Sequence, residues 1–188
     1  IFLLMVSFFI YPSNFAIETA AAGIIPQSFI AVIMTLTDVV AFCSGLLFVR
    51  IKRAFGSSAR FMAPAMFLAG YVLMYFAGGW AGAVAGSCLI GFANGEGVPY
   101  IISAASKRAG KTAATTVMPL ISAALYLAQF VTPMLMSGAN AALGGTVAHV
   151  PFFAAMIVSA CFLAWSAVVT DGDGKKAAVS AKAGEQAA

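Results

Sequence analysis

Residues 28–53 read SFIAVIMTLTDVVAFCSGLLFVRIKR, an uninterrupted apolar run with one charge in it, Asp38, closed by Arg50, Lys52 and Arg53. A bilayer's hydrocarbon core takes about 20 residues in helical form, so residues 28–49 are long enough to cross it. They must do so as a helix, because an open strand would leave its backbone groups unpaired in lipid. The basic cluster that ends the run marks the point where the chain returns to water.

The same pattern recurs on both sides of this stretch. Residues 1–19, 61–77, 80–106, 112–137 and 149–170 are further apolar runs, which predicts six transmembrane helices over residues 1–170 and an all-α membrane bundle. Composition agrees. Of 188 residues, 62% are hydrophobic and 9% charged, with a mean hydropathy of +1.00. A soluble domain carries roughly 25% charged residues, because its surface faces water. Residues 171–188, DGDGKKAAVSAKAGEQAA, are too polar to bury a core and are expected to form a disordered tail.

The basic residues alternate with the connections. Arg50, Lys52, Arg53 and Arg60 lie between runs two and three, and Lys107, Arg108 and Lys111 between runs four and five. Lys175, Lys176 and Lys182 follow run six. The other connections, residues 20–27, 78–79 and 140–146, carry no lysine or arginine. All the basic residues therefore fall on one side, which the positive-inside rule makes the cytoplasm, with both ends of the chain there. A net charge of +4 dispersed in such clusters is no continuous basic face, so no nucleic-acid partner is expected. The chain opens at Ile1, already within an apolar run and without an initiator methionine, and we expect a further segment before it.

Charged and polar groups at membrane depth are costly and are functional candidates by default. Asp38 lies near the bilayer midplane, with Thr35 one turn before it, and Glu96 lies slightly past the middle of run four with Tyr100 and Ser103 on its face. Each is open to two readings, a proton carrier or substrate ligand in a central cavity, or a group bonded structurally to neighbouring helices. Glu18 lies shallower, near the outer end of run one, where it is expected to meet water. Ser122, Tyr126, Gln129 and Pro133 form one stripe on run five, as cavity lining or as interhelical hydrogen bonding.

Two stretches suggest interrupted helices, Tyr11-Pro12-Ser13-Asn14 and residues 91–99, GFANGEGVP, since proline removes a backbone donor and glycine weakens a helix. Broken helices facing one cavity are a transporter feature. The pairs Gly82/Gly86 and Gly91/Gly95 are small-xxx-small packing signals. His149, beside Pro151, reads as a surface histidine.

Cys43, Cys88 and Cys161, all inside apolar runs, read as buried structural thiols and not as a disulfide framework or zinc site. With no histidine at depth, no phosphate loop and no dinucleotide fingerprint, neither an enzyme, a cofactor nor a metal is indicated.

The six runs, the cytoplasmic ends and the basic loop after the second run resemble one half of a major facilitator superfamily transporter. That family carries Gly-x-x-x-Asp-Arg-x-Gly-Arg in this loop. Here Gly45, Arg50 and Arg53 match, whereas Val49 stands in place of the acid and Lys52 in place of the second glycine. Such degeneracy is usual in the C-terminal half. Residues 118–133, MPLISAALYLAQFVTP, resemble the eleventh helix of bacterial efflux-type members.

The resemblance implies the C-terminal six-helix bundle of a twelve-helix protein in a bacterial plasma membrane. Its N-terminal six-helix half would be missing from this chain, and a small-molecule substrate would be held between the halves. It further implies alternating access and proton-coupled efflux of a small organic molecule or drug, with Asp38, Glu96, Asn14, Asn94, Tyr126 and Gln129 lining this half of the pathway. Two alternatives stand beside it: a self-contained six-helix channel or membrane scaffold, and an importer of a sugar or other nutrient on the same architecture.

Overall fold

The computed structural model describes residues 1–23, 25–77 and 79–168, with the side chains of all but residues 108–116. The tail at 171–188 lies outside the described residues. Those described form helices and short turns, with no strand among them. The helices are α1 (Phe2–Ala21), α2 (Gln27–Phe55), α3 (Met62–Phe76), α4 (Gly79–Leu143) and α5 (Val150–Val168), and a 3₁₀ turn, Gly56–Phe61, joins α2 to α3. Among the described residues, four helical stretches are long and apolar enough to cross a membrane: Phe2–Ala21, Gln27–Phe76, Val117–Leu143 and Val150–Val168.

The first part of α4 is the hub. Along it, α2 runs parallel, with Phe29 against Trp80 at one end and Lys52 against Ser103 at the other. Antiparallel to it run α1, which meets it at Tyr11–Ser87 and beside Leu4–Gly97, and α3, which meets it at Gly70–Gly86. Lipid tails are as apolar as the helices, so association depends on close packing and interhelical hydrogen bonds more than on burial from water. The hub carries small residues where partners approach. A Cβ on Gly91 would overlap the Thr37 carbonyl oxygen, and one on Gly95 would overlap the Ala41 carbonyl oxygen and Ser44 Oγ. On the other side, a Cβ on Gly86 would come within 2.7 Å of the Gly70 carbonyl oxygen. Tyr11, Phe15, Phe67, Tyr71 and Ile90 fill the centre and are fully or almost fully buried. Surrounded on three sides, the hub needs less apolar surface than its neighbours, and it alone carries Asn94 and Glu96.

Several expectations change here. No loop separates the fourth and fifth runs: backbone helix continues from Gly79 to Leu143, through the stretch that holds Lys107, Arg108 and Lys111. That stretch, SKRAGKTAA at 106–114, has no proline and is rich in alanine and lysine, both good helix formers. A straight helix of this length would measure about 98 Å at 1.5 Å per residue. Yet Gly79 and His149 line the same small pocket, together with Glu18 and Phe152. Leu143 is joined to His149 by six residues, which reach at most about 23 Å. Both ends of α4 therefore lie toward one end of the bundle, and α4 doubles back between them.

Neither suspected break interrupts a helix. α1 runs through Pro12 and α4 through Gly91 to Pro99. The glycines of that stretch serve close approach instead. Arg50 and Arg53 sit on the last turns of α2, exposed, and not in a loop, where positive charge complements the helix's C-terminal dipole. Cys43 and Cys161 are exposed on outward faces and Cys88 is half-buried, so the three are not a buried set.

Candidate functional site: a buried carboxyl at the basic end

A cavity of about 220 Å³ opens at the end of the bundle that holds Ile1, the 3₁₀ turn and the last turn of α5. Each wall comes from a different element: Leu4 from α1, Arg60 from the turn, Ala63 from α3, Glu96 and Tyr100 from α4, and Trp165 from α5. Trp165 is 60% exposed, so the cavity reaches the surface there, while Phe162 beneath it is buried.

Glu96 faces this space fully buried, and neither of its carboxyl oxygens has a hydrogen-bond partner. A buried polar group normally finds a partner, and leaving a charged one without costs more than the ordinary penalty of about 1–3 kcal/mol. Local sequence explains its setting. Gly97 follows it, and a Cβ there would overlap Leu4 and come within 2.8 Å of Ala63 Cβ. Glycine thus lets α1 and α3 close over α4 beside the carboxyl. From the far side, Lys52 of α2 folds over α4. Its Nζ donates to Ser103 Oγ at 2.9 Å and lies 5.3 Å from the Tyr100 ring centroid and 5.4 Å from that of Phe48. Arg60 Cζ lies 4.5 Å from the Phe61 ring centroid on the cavity's other flank.

Above the cavity a hydrogen-bonded layer ties four helices together. Tyr11 Oη donates to Ser87 Oγ at 2.9 Å and shares a 3.0 Å bond with Thr37 Oγ1, joining α1 to α4 and α2. Tyr71 Oη donates to the Ser7 carbonyl oxygen at 2.5 Å, joining α3 to α1. Ser44 Oγ donates to the Phe92 carbonyl oxygen at 3.1 Å. At the opposite end, His149 Nδ1 lies 2.9 Å from Glu18 Oε2 and closes α5 on α1. His149 has a left-handed backbone, φ 48°, at the turn into α5, where its carbonyl accepts from the N–H groups of Phe152 and Phe153.

The residues singled out in the sequence are not gathered in one place. Glu96 lines the cavity together with Tyr100, its neighbour on the same face, and none of the other proposed pathway residues does. Asn14 is buried on α1, donating from Nδ2 to the Ile10 carbonyl oxygen at 2.9 Å. Asn94 is half-buried, with its Oδ1 unpartnered. Asp38 is exposed on the outward side of α2, as are Tyr126 and Gln129 on the second arm of α4. Gly45 packs inward, where a Cβ would come within 3.2 Å of the Gly95 carbonyl oxygen.

Sequence reading missed Tyr11, Thr37 and Ser87, whose partnership spans 26 and 76 positions, and the pairing of Glu18 with His149 across 131. No window along the chain contains such pairs. Among the described residues no three His, Cys, Asp or Glu side chains are grouped to hold a metal.

Compared with known proteins, the chain matches no family model, and no curated protein or solved structure resembles it at a significant level. The site must therefore be read from its own chemistry. A buried carboxyl without partners, reached from one end of an apolar bundle, can take up a proton or accept hydrogen bonds from a cationic donor group, and either relieves the cost of burying it.

Proposed function

We propose that this chain is the C-terminal six-helix half of a secondary active transporter of the major facilitator type, exporting a small organic molecule in exchange for protons. Glu96 carries the reading: a fully buried, unpartnered carboxyl lining a cavity at the basic end of a membrane-type bundle. Intramembrane carboxyls of this kind belong to ion and proton pathways more than to packing. In this reading the doubled-back α4 supplies two spans, which with α1, α2, α3 and α5 makes six. The basic end faces the cytoplasm of a bacterial cell by the positive-inside rule.

An N-terminal half belongs to the same proposal. Asp38, Tyr126 and Gln129 point outward from helices in apolar surroundings, and a carboxyl facing lipid at depth costs about 2.5–3.5 kcal/mol on insertion scales. A second bundle over these faces would remove that cost and enclose a pathway between the halves.

The test is transport by the full-length protein in proteoliposomes under an imposed pH gradient. Glu96→Gln keeps the shape of the side chain and removes its titration. We expect pH-driven flux to fall at least about tenfold, with helical content and melting temperature retained. Undiminished pH-driven flux in Glu96→Gln would remove Glu96 from the mechanism. Asp38→Asn, tested alongside, separates a pathway role for Asp38 from one confined to the junction between halves.

A further inference from the structure

We propose that Ser7 of α1 and Ser159 of α5 hold water against the Glu96 carboxyl, in a hydration site that continues the cavity toward the centre of the bundle. This inference rests on the reading of Glu96 as a carboxyl that titrates, but not on transport.

Two uncommitted hydroxyls carry it. A buried serine or threonine within a helix can satisfy itself by donating to the carbonyl one turn back. Thr19, Thr37, Thr132 and Ser166 all do so, at 2.6–3.1 Å. Ser7 and Ser159 are fully buried and do not, and neither hydroxyl has a hydrogen-bond partner. Buried polar atoms in a native fold are satisfied by protein or by ordered water.

Packing brings these hydroxyls to one level. At the far end Glu18 meets His149, and Phe15 and Phe152 line one small pocket. At the basic end Leu4 and Phe162 line the cavity together. α1 and α5 are therefore antiparallel, in a register that sets Ser7, one turn in from Leu4, opposite Ser159, one turn in from Phe162. Ser7 shares the buried face of Leu4 and Tyr11, and Ser159 that of Ala155 and Phe162. Glu96 reaches toward the same level from α4. Its neighbour Gly97 lies against Leu4, and a helical side chain tilts toward the N-terminus of its helix, which for α4 is the end at Gly79.

Three helices thus bring four unpartnered oxygens together, two of hydroxyls and two of a carboxyl. A buried water needs two to four polar partners, whereas an apolar cavity stays dry. The hydroxyls can donate to water or accept from it, and an ionised carboxyl accepts. Ala93 and Ala155, fully buried one turn from Glu96 and Ser159, add little bulk at this level. Tyr71, bonded to the Ser7 carbonyl oxygen, and the Tyr11–Ser87 bond lie on the side away from the cavity, so water reaches the site from the cavity.

The test is infrared difference spectroscopy of the full-length protein in liposomes, stepped between acid and alkaline pH in ordinary and in heavy-oxygen water. Tyr100, Lys52 and Arg60 also bear ionisable groups around the cavity, so the Glu96 signal is the carboxyl C=O stretch that Glu96→Gln removes. Isotope exchange moves the bands of water and leaves serine hydroxyls in place. We expect a water O–H band that accompanies the Glu96 signal, shifts in heavy-oxygen water and is lost in Glu96→Gln. Ser7→Ala and Ser159→Ala should each shift or remove that band and move the Glu96 stretch. Thr132→Val, which deletes a committed hydroxyl elsewhere, should change neither. Melting midpoints give a second reading: deleting a hydroxyl that holds water lowers the midpoint, and deleting one with no partner raises it.

A spectrum without such a band, a band identical in wild type and both serine variants, or a raised midpoint in both, overturns the proposal. Should one serine variant fail to fold, the other decides. A Glu96 signal with no water band would leave the proton reading of Glu96 standing while this inference fell. A water band without pH-driven flux would do the reverse.

Discussion

Tyr11 places one phenolic oxygen within 3.0 Å of two hydroxyls on different helices, Thr37 on α2 and Ser87 on α4, in a layer that is almost completely buried. Thr37 also donates to the Ile33 carbonyl oxygen at 3.1 Å, so the hydroxyl has a local partner as well as a distant one. Tyr11→Phe keeps the ring and deletes both interhelical bonds. It should lower stability by about 1–3 kcal/mol, measured by thermal or SDS unfolding in detergent, and an unchanged midpoint would show that the layer adds nothing beyond packing. At this scale the sequence was informative where a residue contradicts its surroundings. Glu96 stood out because a carboxyl in an apolar run is costly wherever it points. Asp38 stood out equally, yet only the fold shows that it faces outward. α2 is apolar nearly all round, with Val32, Leu36, Val39 and Phe42 exposed beside it, so no hydrophobic stripe tells inside from outside. Tyr11 did not stand out, since a tyrosine in a membrane helix is ordinary until its partners are known.

At the scale of the element, glycine shows how much a helix's own sequence can reveal. Gly95 and Gly138 both lie within α4 and carry the same local cost against alanine, about 1 kcal/mol of helix propensity. Their surroundings differ completely. A Cβ on Gly95 would overlap the Ala41 carbonyl oxygen and Ser44 Oγ, whereas one on Gly138 meets nothing within 4 Å. Gly95→Ala should therefore destabilise the bundle by about 1–3 kcal/mol or more, because rigid backbone must move aside. Gly138→Ala should leave it unchanged or raise stability by up to about 1 kcal/mol. Both are read from unfolding midpoints of the detergent-solubilised protein, and equal shifts would deny that α2 and α4 meet closely at Gly95. The small-xxx-small spacing of Gly91 and Gly95 marked this face as a contact but did not say that α2 fills it. Proline misled in the other direction. Pro12 and Pro99 looked like breaks, but a helix packed on several sides can lose one hydrogen bond and continue.

For the whole molecule, the path of α4 decides how many times the chain crosses a bilayer. The apolar runs at 80–106 and 112–137 suggest two spans with a basic turn between them, whereas the backbone helix is continuous through that turn. Alanine, lysine and arginine favour helix locally even where the chain as a whole must reverse. The reversal follows from the ends: Gly79 and His149 line one pocket, and the Glu18–His149 pair holds the start of α5 beside the end of α1. If both arms of α4 lie across the membrane, residue 111 and the 3₁₀ turn at 56–61 emerge on one side and residue 145 on the other. Single cysteines at Ser58, Lys111 and Gly145, in a background with Cys43, Cys88 and Cys161 replaced by serine, test this with a membrane-impermeant maleimide applied to sealed vesicles of either orientation. We expect Ser58→Cys and Lys111→Cys to react in inside-out vesicles, and Gly145→Cys only in right-side-out ones. Reaction of Lys111→Cys together with Gly145→Cys would mean that one arm lies outside the bilayer. The cavity at Glu96 would then no longer sit within a six-span bundle, and its carboxyl could not serve a pathway across the membrane. Crossing number and site chemistry are thus linked through one helix, because the helix that must reverse is the one that carries Glu96.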